Sequence, residues 1–196
     1  MKYIIGLTGP TGSGKSSFSA LAENKGIYVI DCDKISRQVT DRDSECLLKL
    51  SEAFGEDIIK DGELDRKLLA ARAFSDEGQK KVLEDIIFPF ILSSVFEKIE
   101  KSESEIILLD APTLYESGIN ELCGDVIAVL SDKNIRKQRI IKRDSLTEEQ
   151  ADIRINAGKN DDFYLEKTKH IIYNNSTETE FLGKCEEILN ILMEEK

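Results

Sequence analysis

The chain has 196 residues, enough for one substantial core with lobes inserted into it, and its 27 Lys and Arg against 38 Asp and Glu leave a net charge of −11. That charge repels nucleic acid and anionic membrane, so any phosphate-bearing ligand must be gripped locally, and only small-molecule partners are expected. No apolar run approaches the roughly 20 residues of a membrane span, the N-terminus lacks a charged-then-apolar leader, and Cys32, Cys46, Cys123 and Cys185 are scattered with only His170 to complete a zinc site. The expectation is a soluble, cytoplasmic protein with reduced thiols, as a monomer or small homo-oligomer.

Residues 3–7 form a short apolar run that ends in a Gly-rich turn, and Ser16, Phe18, Leu21 and Ala22 then begin a helical pattern, giving strand, loop, helix. A second run at 27–30 is followed by a stretch, 41–104, that is too long for one crossover and reads as helix throughout. Within it Leu64, Leu68, Leu69 and Ala73 share a helical face, as do Val82, Ile86 and Ile87. Pro89 is expected to end or kink the second of these helices. Further apolar runs fall at 106–109, 126–130 and 171–173, all short, rich in β-branched residues and without the alternation of a half-wet strand. Residues 133–169 are highly charged and suit a solvated, mobile flap. Phe181, Leu182, Cys185, Ile188, Leu189 and Leu192 mark a C-terminal amphipathic helix.

Five buried parallel strands joined by helical crossovers predict a doubly wound α/β fold. The core comprises 1–40, 104–132 and 170–196. A helical lobe is inserted at 41–103, and 133–169 forms a helical lid.

Gly9-Pro10-Thr11-Gly12-Ser13-Gly14-Lys15-Ser16 matches G-x-x-x-x-G-K-S/T completely, and it lies between strand and helix, the context that gives the pattern meaning. Gly12 and Gly14 let the backbone curl so that N–H groups point at phosphate oxygens, and Thr11, Gly12, Ser13, Gly14, Lys15 and Ser16 become the nucleotide-binding set. Lys15 supplies a point charge between β- and γ-phosphates, and the Ser16 hydroxyl suits Mg²⁺. ATP and Mg²⁺ are the cofactors implied. The loop alone leaves open whether the phosphoryl group goes to water, to a substrate or nowhere.

Other residues narrow that choice. Asp33 closes the second strand at the sheet edge where open α/β folds bind ligands, with Arg37 four residues on. It can accept the proton of an attacking hydroxyl or hold Mg²⁺. Asp31 and Asp33 are alternatively helix caps. Arg139 and Arg143 are four apart in a basic run with Arg136, Lys137 and Lys142. They read as positive charge closing over a transferring phosphoryl group, or as a solvated helix face. Asp110, after the third strand, has the position of a metal-organising carboxylate, or of a strand-end turn. A GTPase-like switch would carry a guanine-reading N-K-x-D motif, whereas the fourth strand is followed by Ser131-Asp132-Lys133-Asn134. Another kinase acting on a nucleoside or its monophosphate remains the nearer alternative.

Taken together, GLTGPTGSGKS (6–16), VIDCDKISRQV (29–39), GELDRKLLAARAF (62–74), LLDAPTLYESG (108–118) and QRIIKRDSLTEEQADIRI (138–155) resemble the dephospho-coenzyme A kinases, in order and spacing, over nearly the full chain. The resemblance implies ATP-dependent phosphorylation of the ribose 3′-hydroxyl of dephospho-CoA. It implies Asp33 as base, Lys15, Arg139 and Arg143 as the other catalytic residues, and Asn174 on the adenine side. Arg37, Arg66, Phe88 and Asp110 then fall on the substrate side. The chain departs from the family pattern at Phe88, where His usually precedes the proline, at PTLYE in place of PLLFE, and at Gly158 in place of a lid Gln. Phe88 can stack on an aromatic ring or pack in the core.

Overall fold

In the computed structural model, which describes residues 2–194, the chain runs in the following order. β1 (Tyr3–Thr8), α1 (Lys15–Asn24) and β2 (Tyr28–Asp31) come first, then α2 (Cys32–Gln38), α3 (Glu45–Phe54), a 3₁₀ turn, β3 (Ile59–Lys60) and β4 (Glu63–Leu64). They are followed by α4 (Arg66–Ala73), α5 (Glu77–Lys101), β5 (Ile106–Asp110), a second 3₁₀ turn and β6 (Asp125–Leu130). The chain closes with α6 (Lys133–Asp144), α7 (Glu148–Asn156), α8 (Asp161–Lys167), β7 (His170–Tyr173) and α9 (Glu178–Glu194). It falls into two compact units, 1–30 with 103–196, and 31–102.

The first unit is built on a five-stranded sheet in the order β2-β5-β1-β6-β7, and the pairs β1–β5, β1–β6 and β6–β7 all run parallel. Because successive side chains point to opposite faces, each strand feeds two cores. Ile5, Leu7, Leu108, Ile127, Val129 and Ile172 pack with Phe18 and Ala22 of α1 and with Phe181, Cys185, Leu189 and Leu192 of α9. On the other face Ala128, Leu130 and Ile171 meet Phe163 and Tyr164 of α8. Helices therefore cover both faces, the doubly wound arrangement expected of continuous apolar strands. The charged 133–169 stretch carries more internal structure than its composition suggested: Ile140, Ala151 and Ile155, all buried, form a small core of their own.

The second unit has its own core of Cys46, Leu50, Phe54, Ile58, Leu69 and Ala73. It begins at Asp31, where the sequence suggested 41, because α2 packs on α5. The stretch is not helical throughout. Ile59 pairs with Leu64 and Lys60 with Glu63 across Asp61 (φ 52°) and Gly62 (φ 82°), the left-handed pair that a tight hairpin requires. Asp61-Gly62 was the signal for that hairpin. Nor does a helix end at Pro89: α5 runs unbroken through it for 25 residues. Among the described residues, no helix is long and apolar enough to cross a membrane.

Candidate active site

The Gly9–Ser16 loop joins β1 to α1, and its glycines answer to specific crowding. A Cβ on Gly9 would sit 2.2 Å from the carbonyl oxygen of Val129, and one on Gly14 would sit 2.2 Å from Asn174 Nδ2. Gly14, at φ 114°, is the N-cap of α1, and no side chain caps that helix. By contrast Asp31, Ser44, Asp65, Asp76, Thr147 and Asn160 cap α2, α3, α4, α5, α7 and α8 with their side-chain oxygens, while α6, like α1, has no side-chain cap. The positive end of α1 is thus left without a side-chain cap, the setting in which a helix N-terminus favours an anion. Lys15 Nζ folds back to donate to the carbonyl oxygens of Gly9 at 2.6 Å and Pro10 at 3.4 Å. Ser13 Oγ is buried in the loop with no hydrogen-bond partner among the described residues.

A polar clamp holds the loop from behind. Asn174, 6 % exposed, donates through Nδ2 to the Ser13 carbonyl at 2.8 Å and accepts through Oδ1 from Arg139 Nη2 at 3.1 Å. Arg139 Nη2 also reaches the Asn174 carbonyl at 3.1 Å, and Nη1 lies 3.4 Å from the carbonyls of both Gly12 and Ser13. Burial lowers the pKa of Arg139 from its ordinary value. Arg143, one turn on, is instead exposed and gripped by Asp144 through two 2.8 Å bonds, which raise its pKa. Asp144 also binds Arg154 at 2.6 Å.

On the other side of α1, Ser19 Oγ donates to Asp110 Oδ2 at 2.7 Å. Ser16 lies one turn earlier on the same helical face, so its hydroxyl and the Asp110 carboxylate share one flank of the helix. Two such oxygens beside a phosphate cradle fit Mg²⁺, which takes few protein ligands and completes its shell with phosphate oxygens and water.

The remaining expected residues belong to the 31–102 unit. Asp31 takes the cap of α2, accepting from Lys34 N at 2.9 Å, and Asp33 falls in the first helical turn. Asp33 and Arg37 are both exposed. Arg66 opens α4 and donates to Thr40 Oγ1 at 2.9 Å and to the Arg37 carbonyl at 3.3 Å, which draws Arg37 and Arg66 together. Phe88 is half-buried on α5.

Several participants escaped the sequence reading. Ser19 was readable as the i+3 partner of Ser16. The clamp of Asn174 and Arg139 joins residues 35 apart and has no local signal. The Tyr of PTLYE has a use for its added hydroxyl: Tyr115 Oη bonds Thr168 Oγ1 at 2.7 Å and donates to the Lys167 carbonyl at 3.0 Å, while its ring meets Phe163 edge-on. Arg136, placed in a basic run, is buried.

A doubly wound sheet whose central strand ends in a complete, uncapped phosphate loop defines a P-loop nucleotide-binding protein of the small-kinase kind. The profile of the dephospho-CoA kinase family matches residues 3–180. The dephospho-CoA kinase of Idiomarina loihiensis is 36% identical over 90% of this chain and 88% of its own. Among solved structures, a dephospho-CoA kinase from Campylobacter jejuni superposes with a TM-score of 0.70 at 28% identity, covering 98% of both chains. A Thermus thermophilus protein reaches 0.84 at 26% identity, over 99% of this chain and 97% of that one. The chain belongs to the dephospho-CoA kinase family, and membership of a kinase family implies nucleotide use.

Proposed function

We propose that the protein transfers the γ-phosphoryl group of ATP to the ribose 3′-hydroxyl of dephospho-CoA, yielding CoA and ADP. The observation that carries this reading is a family match over most of the chain coinciding with a phosphate loop whose helix N-terminus no side chain caps. The loop amides and Lys15 hold the β- and γ-phosphates, with Asn174 on the adenine side. Asp33 takes the proton of the 3′-hydroxyl as its oxygen attacks the γ-phosphorus and the bond to the bridging oxygen of ADP breaks. Arg37, Arg66, Phe88 and Asp110 serve the acceptor side. Arg139 and Arg143 supply positive charge against the charge of the transferring group, which matters most where water is excluded. Arg143 reaches that role by exchanging Asp144 for phosphate.

Ser16, with Asp110 beside it, would hold Mg²⁺, which neutralises phosphate charge. Free cysteines, three of them buried, support a reducing, cytoplasmic site of action.

The test is ADP release by the purified chain with Mg-ATP. Release should match CoA formed mole for mole when dephospho-CoA is present and fall to a small background without it. Equal turnover on AMP or uridine would overturn the assignment of acceptor.

A further inference from the structure

The helix α6 meets the phosphate loop through its backbone at one residue. A Cβ on Gly12 would lie 2.9 Å from the carbonyl oxygen of Arg136 and 3.2 Å from its Cα, so the helix rests on the loop as closely as a residue without a side chain permits. The side chain of that same Arg136 is buried, with 6 % exposure. Its Nη2 stands 3.6 Å from Asp161 Oδ1 at the start of α8, and its Nε has no hydrogen-bond partner among the described residues. Tyr164, a turn further along α8 and 3 % exposed, feels the same charges. Burial holds its hydroxyl protonated far above the usual range, with Glu116 and Asp161 adding to that effect and Arg136 opposing it. Glu116 lies beyond Asp110 on the segment leaving β5, and its Oε2 is also buried without a partner.

Removing an arginine from water is expensive, and a loose pair with polar atoms left unsatisfied recovers little of that loss. Stability is a poor reason for its presence. We propose that Arg136 is a positioning residue. It ties α8 to α6 through Asp161 at the point where α6 rests on Gly12, and so sets Arg139, three residues on, against the loop carbonyls and Asn174. Arg139 Nη1 is held to Gly12 and Ser13 only by long 3.4 Å bonds, so a small rotation of α6 is enough to break them. The inference rests on the loop holding nucleotide and is indifferent to the acceptor.

The test pairs Arg136→Met/Asp161→Asn, which leaves no lone buried charge, with Arg136→Lys. It reads melting temperature, hydrogen exchange of residues 9–16 without ligand, and calorimetric Mg-ATP affinity. The double variant should melt near the unmodified chain, yet exchange those amides about tenfold faster and bind Mg-ATP about tenfold more weakly. Arg136→Lys, which keeps the charge and loses the planar fork, should recover only part of both. A double variant with unaltered exchange and affinity would reduce Arg136 to a replaceable ion pair. Should the double variant fail to fold, unaltered exchange and affinity in Arg136→Lys would overturn the proposal equally. Absence of dephospho-CoA turnover in the unmodified chain would sink the proposed reaction and leave these readouts, which need only ATP and solvent, to decide on Arg136.

Discussion

The two ends of the same strands treat their polar groups in opposite ways. At the amino ends, Tyr3, Asp125 and His170 open β1, β6 and β7 and satisfy one another: Tyr3 Oη donates to Asp125 Oδ2 at 2.5 Å, and His170 Nε2 lies 2.9 Å from Asp125 Oδ1. At the carboxyl ends, the loop leaves α1 without a side-chain cap and Ser13 Oγ unpartnered among the described residues. Satisfied groups stabilise and do nothing else; donors held in place without a partner are ready for a ligand. The difference gives a physical reason to look for chemistry at one end only.

Substitutions can break that contrast. Lys15→Met should lower kcat/KM by on the order of 10³-fold while leaving the melting temperature almost unchanged, since the charge serves the phosphate and not the fold. A large fall in melting temperature would show that the loop end is structural after all. Asp33→Asn should cut kcat by on the order of 10²-fold with Mg-ATP affinity nearly intact, as loss of a base does; an unaltered kcat would remove Asp33 from the chemistry. Gly14→Ala, forced to φ 114° with its Cβ on Asn174 Nδ2, should weaken Mg-ATP binding about tenfold and destabilise by about 1–3 kcal/mol, read by calorimetry and denaturant unfolding.

Asp125→Asn sharpens the other side, with the smallest effect. Burial pushes the Asp125 carboxyl up, but its bonds to Tyr3 and His170 and the nearby positive charge outweigh that and hold it below its ordinary value of 3.8. Its contribution is therefore present above about pH 4 and is lost as pH falls through the folded value. The variant should lose about 1–2 kcal/mol at pH 7, a deficit that shrinks below pH 4, with kcat unchanged. Altered turnover at pH 7 would mean that the two ends are coupled.

How much was readable in advance divides along the same physical line. The loop, the strands and the face of α9 were legible because each is a local pattern: a spacing of glycines, a run of β-branched residues, a period near 3.6. Arg139 was legible as a residue but not in its engagement, since Asn174 and the carbonyls of Gly12 and Ser13 come to it only through the fold. Arg136 looked like the exposed Lys142 and Arg143 of the same run because charge gives no hint of burial. The Asp61-Gly62 hairpin was local and was overlooked, as helical periodicity on both sides obscured two-residue strands.

The strand order also bears on how the chain is made. β1 has no sheet neighbour close in sequence: Tyr3 pairs with Ile106 and Ile5 with Asp125. Once made, β1 must wait until residue 106 and beyond before either partner exists, whereas residues 31–102 can assemble their own core in the meantime. During synthesis the nucleotide-gripping loop thus emerges well before the strands that give it its shape, so a ribosome stalled before residue 106 would present a folded lobe beside an unpaired apolar strand, a natural target for chaperones.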